Sequence, residues 1–460
     1  MDLYHSDEKQ INNENALAWI LNKEGYVNTG QKMSAVLKLS LPAILAQISS
    51  IVMQYIDAAM VGGLGADASA AIGVVSTSTW LLGGMGSALS MGFAVQTAQK
   101  IGAGKDYDAR NIFRNSIGAA FLFSTIITII GIIMSPNLPK WLGADKNIWN
   151  NATGYFFIYC CSLPLIQLNS LAGSMLQSSG NMKLPSILNG LMCLLDVIFN
   201  YIFIGKLGVI GAAIGTAMAE LVICCAMMWA ACFRSRLLRF RKKEKYYFDK
   251  EIISRAFKIG APVGLEHIAI CGAMVVSTKI IAPLGNIAVS AHSFAITAES
   301  LCYMPGYGIG AAATTLVGQS IGANKKKMAD SFANLSIILG VALMTFTAVI
   351  MYFICPFVFK ILTPDLDIQN LAAKVLRIEL FAEPLYAVSI VTSGALQGAG
   401  DTLVPSIINL LSIWGVRIIL SVILVGKYGL PGAWIAMAVE LCVRGILLFL
   451  RKQTGVLKRI

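Results

Sequence analysis

Apolar residues along this chain gather into twelve stretches: 37–62, 68–100, 112–134, 152–178, 184–205, 208–233, 257–282, 287–318, 331–355, 372–398, 403–426 and 429–450. Each is about 20 residues or longer, the length at which an α-helix crosses the hydrocarbon core of a bilayer. The pattern predicts an all-α membrane protein with twelve transmembrane helices. An outer-membrane barrel would instead show alternating segments of about ten residues, and the sequence has none.

The polar intervals set the expected topology. The segments after runs 2, 6 and 8 and the C-terminal "RKQTGVLKRI" are basic, whereas those after runs 1, 5 and 7 are short and poor in Lys and Arg. Basic loops stay on the cytoplasmic side. Both termini and the long central loop are therefore expected in the cytoplasm, with the chain a multi-pass protein of the plasma (inner) membrane. Residues 1–36 are polar, lack the apolar core of a signal peptide, and read as a cytoplasmic lead-in with a surface helix around Ala16–Leu21.

A second pattern lies over the first. "LQSSGNMKLPSILN" (Leu176–Asn189) returns as "LQGAGDTLVPSIIN" (Leu396–Asn409), an offset of 396 − 176 = 220. The same offset relates Pro42 to Pro262, Pro136 to Pro356, Pro164 to Pro384 and Pro185 to Pro405, and "QKIGAGK" to "QSIGANK". The chain is thus a duplicated six-helix unit. Its expected parts are an N-lobe at 37–233, a basic linker at 234–256, a C-lobe at 257–450 and a tail at 451–460. Six is even, so both copies enter from one side as parallel repeats around an axis along the membrane normal, an architecture typical of secondary transporters. A channel would show a filter-like segment, and none is visible.

Composition narrows the partners. Of the 460 residues 56% are hydrophobic and 13% charged, against about 25% charged in soluble domains; mean hydropathy is +0.70. The net charge of +12 resides in clusters such as Arg234–Lys250 and Asn324–Lys327, which fit topology better than nucleic acid. The ten cysteines show no zinc-ligand or CxxC spacing and read as reduced core residues. With only His5, His267 and His292, no HExxH motif exists. An enzyme, a metal site and a cofactor are not expected. A rigid scaffold would leave many buried charges without a purpose.

Those charges carry the candidate chemistry. A charged side chain mid-membrane costs roughly 2.5–3.5 kcal/mol on insertion scales, so each needs a reason. At the 220 offset Glu220 matches Glu440, and Glu440 lies four residues before Arg444 on the same helix face; both glutamates read as structural. Asp57 falls opposite Ser277 and Asp196 opposite Val416, so neither acid has a twin. Asp196 and Asn200 share a helix face at i, i+4. At about 1.5 Å per residue, Asp57, Asn200, Thr216 and Asp196 reach overlapping depths, about 8–14 Å from the outer ends of their helices. They fit one polar pocket within the first repeat, where two repelling carboxylates would take up a proton or Na⁺. The bland reading is that the two acids only hydrogen-bond neighbouring backbone.

In the second repeat Glu266, Lys279, Glu299, Glu383 and Arg417 face Ala46, Ala59, Thr79, Leu163 and Val197 at that offset. Glu299 and Glu383 are open to two readings: a site for a cationic substrate or proton, or acids neutralised by Lys279 or Arg417. Tyr303, Met304 and Tyr307 suit either an apolar, cation-tolerant cavity or plain core.

"LPAILAQISSIVMQYIDAAMVGGLG", the paired "LQSSGNMKLP" and "LQGAGDTLVP", and "AHSFAITAESLCYMPGYGIGAAATTLVGQSIGA" together resemble the multidrug and toxic compound extrusion (MATE) family over essentially the whole chain after residue 30. The segment from Ala291 to Ala323 is more similar to the DinF-like branch than to the NorM-like one. The resemblance implies an efflux antiporter exporting organic cations against inward H⁺ or Na⁺. The expected partners are lipophilic or cationic small molecules and membrane lipids, the expected state is a monomer, and the parallel repeats predict alternating access between two lobes. It implies the coupling ion on Asp57, with Asp196 and Asn200 standing in the order opposite to the DinF-like pattern. The NorM-like branch adds acids in helices 7 and 10; here Glu266 lies about one turn from the first, and Tyr386 stands in place of the second. A lipid-linked precursor flippase of related architecture is the alternative, for which only Arg417 and Lys279 supply the cationic cavity a diphosphate needs.

Overall fold

The computed structural model describes residue 21, residues 27–241, residue 244 and residues 247–459. Apart from Leu21, the expected surface helix around Ala16–Leu21 lies outside them. The described residues form helices and connecting turns, with no strand. That is what a bilayer demands, since each backbone N–H and C=O must be satisfied within its own segment.

The helices of the first copy are α1 Thr29–Gly62, α2 Ala66–Gly102, α3 Asp106–Met134, α4 Trp149–Ser178, α5 Lys183–Leu207 and α6 Val209–Trp229. Those of the second are α7 Lys250–Ile281, α8 Asn286–Gly322, α9 Lys326–Leu362, α10 in two pieces (Leu366–Glu379 and Glu383–Ala399), α11 Leu403–Tyr428 and α12 Leu430–Gln453. Ten of the twelve are single helices long and apolar enough to span a membrane. The other two are α8, long but rich in Gly, Ser and Thr, and the broken α10. Apolar side chains that would face water in a soluble protein point outward: Phe121, Leu122, Ile126, Ile129, Ile130 and Ile133 on α3 are all exposed, a surface suited to lipid.

The break in α10 departs from the single run expected at 372–398. Pro384 cannot donate to the carbonyl of residue 380 and its ring crowds that carbonyl; the chain gives way at 380–382, closing a tight turn from the Ala382 N–H to the Glu379 carbonyl (2.6 Å). In the first copy Pro164 stays inside α4. There the freed carbonyl, that of Cys160, accepts from the Thr128 hydroxyl of α3 (3.0 Å). Position 348, the counterpart of Thr128 (348 − 128 = 220), is alanine, which offers no such rescue.

The chain divides into two compact units. One holds residues 49–264. The other holds the described residues up to Ile48 together with Leu265 onward. The boundary falls inside α1 and α7. Lys32 at the start of α1 donates to Ser331 of α9 (3.2 Å), while Gln96 of α2 donates to the Ile252 carbonyl at the start of α7 (3.1 Å).

The basic linker is tied to α3. Arg110 grips Glu244 through Nε and Nη2 (2.6–3.0 Å) and donates to the Leu237 carbonyl (3.2 Å). Arg114 covers the Phe240 ring, 5.0 Å from its centroid. The Glu244 carboxyl is held below the ordinary carboxylate range, chiefly by the Arg110 hydrogen bonds, with the charges of Arg110, Arg114 and Arg241 adding to them. All ten cysteines are free. Cys160 and Cys224 are core residues as expected, but Cys161 and Cys225 are exposed, because adjacent helix positions cannot share one face.

Candidate functional site

Asp57 lies near the end of α1, half-buried; Asp196 and Asn200 lie one turn apart on α5 and are buried. One side-chain amide joins all three. Asn200 Nδ2 donates to Asp57 Oδ1 and to Asp196 Oδ2, each at 2.9 Å. The two accepting oxygens are therefore no more than 2.9 + 2.9 = 5.8 Å apart. An amide nitrogen has two protons, so both are spent on carboxylates. Asp196 Oδ1 and Asn200 Oδ1, also buried, have no hydrogen-bond partner. A buried acceptor left unsatisfied costs about 1–3 kcal/mol. Two carboxylates and two orphaned oxygens in one place make a ready seat for a small cation or a proton.

The neighbouring helix is shaped to this group. A Cβ on Gly215 of α6 would stand 2.9 Å from the Asn200 backbone nitrogen and run into its side-chain oxygen. Only glycine lets α6 press on α5 here. Thr216 follows, half-buried, and makes no hydrogen bond to the three. Glu220, one turn further, accepts from Asn169 Nδ2 of α4 (2.7 Å).

The second-repeat candidates do not assemble into a matching cluster. Glu266 on α7 accepts from Asn409 Nδ2 of α11 (2.7 Å), leaving Glu266 Oε2 and Asn409 Oδ1 unpartnered. This pair has a register in common with the first: 200 − 57 and 409 − 266 are both 143. In first-copy numbering it corresponds to positions 46 and 189, 11 residues earlier on each helix. Eleven residues are about three turns, so the same faces meet at a different height. Glu299 on α8 and Glu383 on α10 are buried, and both Glu383 oxygens lack partners. Neither acid forms an ion pair with Lys279 or Arg417 among the described residues. Tyr386 packs on Tyr303 (centroids 5.6 Å apart) and lies under the Arg444 guanidinium (5.2 Å). Glu440 and Arg444 form the expected ion pair, 3.0 Å apart.

Sequence reasoning overlooked Glu379, four residues before Glu383, buried and without partners for either oxygen. Its spacing was the available signal. The one-residue-finer alignment of the copies was overlooked too. α8 and α2 align at 286 − 66 = 220, but α12 and α6 align at 430 − 209 = 221. The extra residue is taken up by a π-turn at Ile413–Ile418 in α11, since a π-turn adds one residue to a helix without breaking it. The caps Gly208 and Gly429 share one backbone conformation (φ 59° and 63°), and every position that α6 buries is buried in α12 at the offset 221. Glu220 therefore corresponds to Leu441, and Glu440 to Ala219; the two glutamates are not twins.

The duplication is visible from outside the chain as well. The family model described as MatE matches residues 42–202 and again 262–423. The chain belongs to the MATE family. Members of this family are transporters, not enzymes. Its relatives include the proteins named probable multidrug resistance protein NorM from Thermotoga maritima, 27% identical over 433 residues (91% of this chain, 92% of that one), and from Mannheimia succiniciproducens, 28% identical over 428 residues (90% and 92%). Among solved structures, a MATE in complex with MaL6 superposes with a TM-score of 0.89 at 20% identity, covering 93% of this chain and 98% of that one. A multidrug resistance MATE family transporter in an outward-facing conformation superposes with a TM-score of 0.88 at 20% identity, covering 94% and 99%.

Proposed function

We propose that this MATE protein is a secondary antiporter of the inner membrane that exports lipophilic organic cations in exchange for inward H⁺ or Na⁺, with both termini cytoplasmic. The coupling ion sits at Asp57, Asn200 and Asp196, with Thr216 beside them. One observation carries the reading: a single amide holds two carboxylates at 2.9 Å each while two buried oxygens stay unpartnered. Two negative charges so close in a medium of low dielectric repel by several kcal/mol, and a proton or Na⁺ relieves them.

An ion drives a conformational cycle only through its different affinity for the two states. Asp57 on α1 and Asp196 on α5 meet through Asn200, so any movement of one helix against the other changes the distance between the charges. The ion then favours the state in which they are closest. The multidrug names of the NorM relatives support the substrate class.

The test is export of an ethidium-like dye from proteoliposomes under an imposed pH or Na⁺ gradient. Wild type exports against the dye gradient. Asp57→Asn, expressed and folded, loses gradient-driven export by at least about tenfold, equivalent to about 1.4 kcal/mol of coupling. Undiminished driven export by this variant would show that the ion binds elsewhere.

A further inference from the structure

Within the second repeat, a small cavity is lined by Ser277, Arg417, Ser421 and Met437, with His292 and Trp434 beside them. These first four are the counterparts of the coupling-ion residues. Ser277 matches Asp57 at 277 − 57 = 220, before the π-turn. Arg417, Ser421 and Met437 match Asp196, Asn200 and Thr216 at the later offset, since 417 − 196, 421 − 200 and 437 − 216 are all 221. The duplicated fold thus carries the same pocket twice. In the first copy it holds two acids and an amide; in the second it holds a guanidinium and two hydroxyls.

Its donors are unspent. No carboxylate lies within ion-pair distance of Arg417 among the described residues, and the only hydrogen-bond partner of its guanidinium is the Met437 thioether, a weak acceptor. Glu299 and Glu379 share its electric field from beyond that distance. Among the described residues Ser421, 4% exposed, makes no hydrogen bond, nor does Ser277. His292 Nδ1 accepts from Trp434 Nε1 (3.1 Å). Indole nitrogen only donates, so Nδ1 is bare and the neutral ring carries its proton on Nε2, another donor. No acid lines the cavity. Arg417 is half-buried on a membrane helix, where a cation calls for a counter-charge, and among the described residues the protein supplies none in contact.

We propose that this cavity is a binding site for a small monovalent inorganic anion, held by Arg417 with the Ser277 and Ser421 hydroxyls. About 10 Å³ open to the centre of a water-sized particle leaves room for one small ion and excludes a drug or a diphosphate. The site is distinct from the coupling-ion site and stands or falls independently of it. A bound anion completes the electrostatics of the second repeat, as a cation does in the first.

The test uses chloride and bromide as probes on the purified full-length protein. At constant ionic strength, with gluconate replaced stepwise by chloride, the thermal midpoint of wild type rises saturably. Arg417→Met flattens that response, and Ser421→Ala, a milder change that leaves the charge in place, moves its half-saturation at least about fivefold to higher chloride. Crystals grown in bromide show an anomalous peak beside Arg417. A wild type indifferent to chloride, an unaltered chloride response in both variants, or a bromide-grown crystal with no peak in the cavity each overturns the proposal. None of these readouts depends on transport, so they separate this site from the antiport reading.

Discussion

At the scale of single residues, the site depends on one amide and one missing methyl. Asn200 spends both its amide protons on acids, so Asn200→Ala leaves Asp57 and Asp196 facing each other without a shared donor. Driven export should then fall by at least about tenfold while the fold survives, as vesicle transport and a melting curve read side by side would show. Gly215→Ala forces a methyl against Asn200. Overpacking of this kind costs typically 1–3 kcal/mol, so the melting temperature should drop by a few degrees, and export should fall further than stability because the displaced group is Asn200 itself. A variant with wild-type melting and export would mean that α6 can retreat, and that the close approach has no bearing on the site.

At the scale of helices, buried pairs and borrowed hydroxyls decide which elements are continuous. Glu440 is fully buried and held only by Arg444 at 3.0 Å, at an angle that makes the contact an ion pair more than a hydrogen bond. Removing one member strands the other, at a cost of about 3–5 kcal/mol. Glu440→Gln should therefore destabilise α12 more than the double change Glu440→Gln with Arg444→Met; equal melting temperatures would refute the pairing. The linker responds to pH with a definite sign. Glu244 has its folded-state pKa depressed below 4.5 by Arg110, so its contribution is present above that ordinary value and is lost as pH falls through the folded one. Protease cleavage of the linker should stay slow at pH 5–8 and speed up only in stronger acid, whereas Glu244→Gln should be cut rapidly at every pH.

At the scale of the whole molecule, the duplication explains both what the sequence disclosed and what it hid. Long apolar runs and repeated prolines made the helices and the copies legible, because membrane spans and helix kinks depend on local composition. Asp57, Asp196 and Asn200 were legible for the same reason: charge in lipid is costly and stands out. The break at 380–382 was not, because it depends on whether a neighbouring helix offers a hydroxyl, Thr128 in one copy and Ala348 in the other. The π-turn at Ile413–Ile418 was hidden as well. One added residue leaves hydropathy unchanged, yet it moved Arg417 from opposite Val197 to opposite Asp196, and with it the meaning of the second pocket. Its trace in the letters is the return of "GKLGVIGA" (Gly205–Ala212) as "GKYGLPGA" (Gly426–Ala433), at an offset of 221.

In the antiport reading, substrate displaces the ion that Asp57, Asn200 and Asp196 hold. Ion release from purified protein on addition of the dye measures this most directly, followed with a pH indicator in weakly buffered, Na⁺-free solution and with radioactive Na⁺ in a parallel sample. Wild type should release H⁺ or Na⁺ in proportion to dye bound, and Asp57→Asn and Asp196→Asn should release neither while still binding dye. Release of wild-type size from both variants would contradict the account.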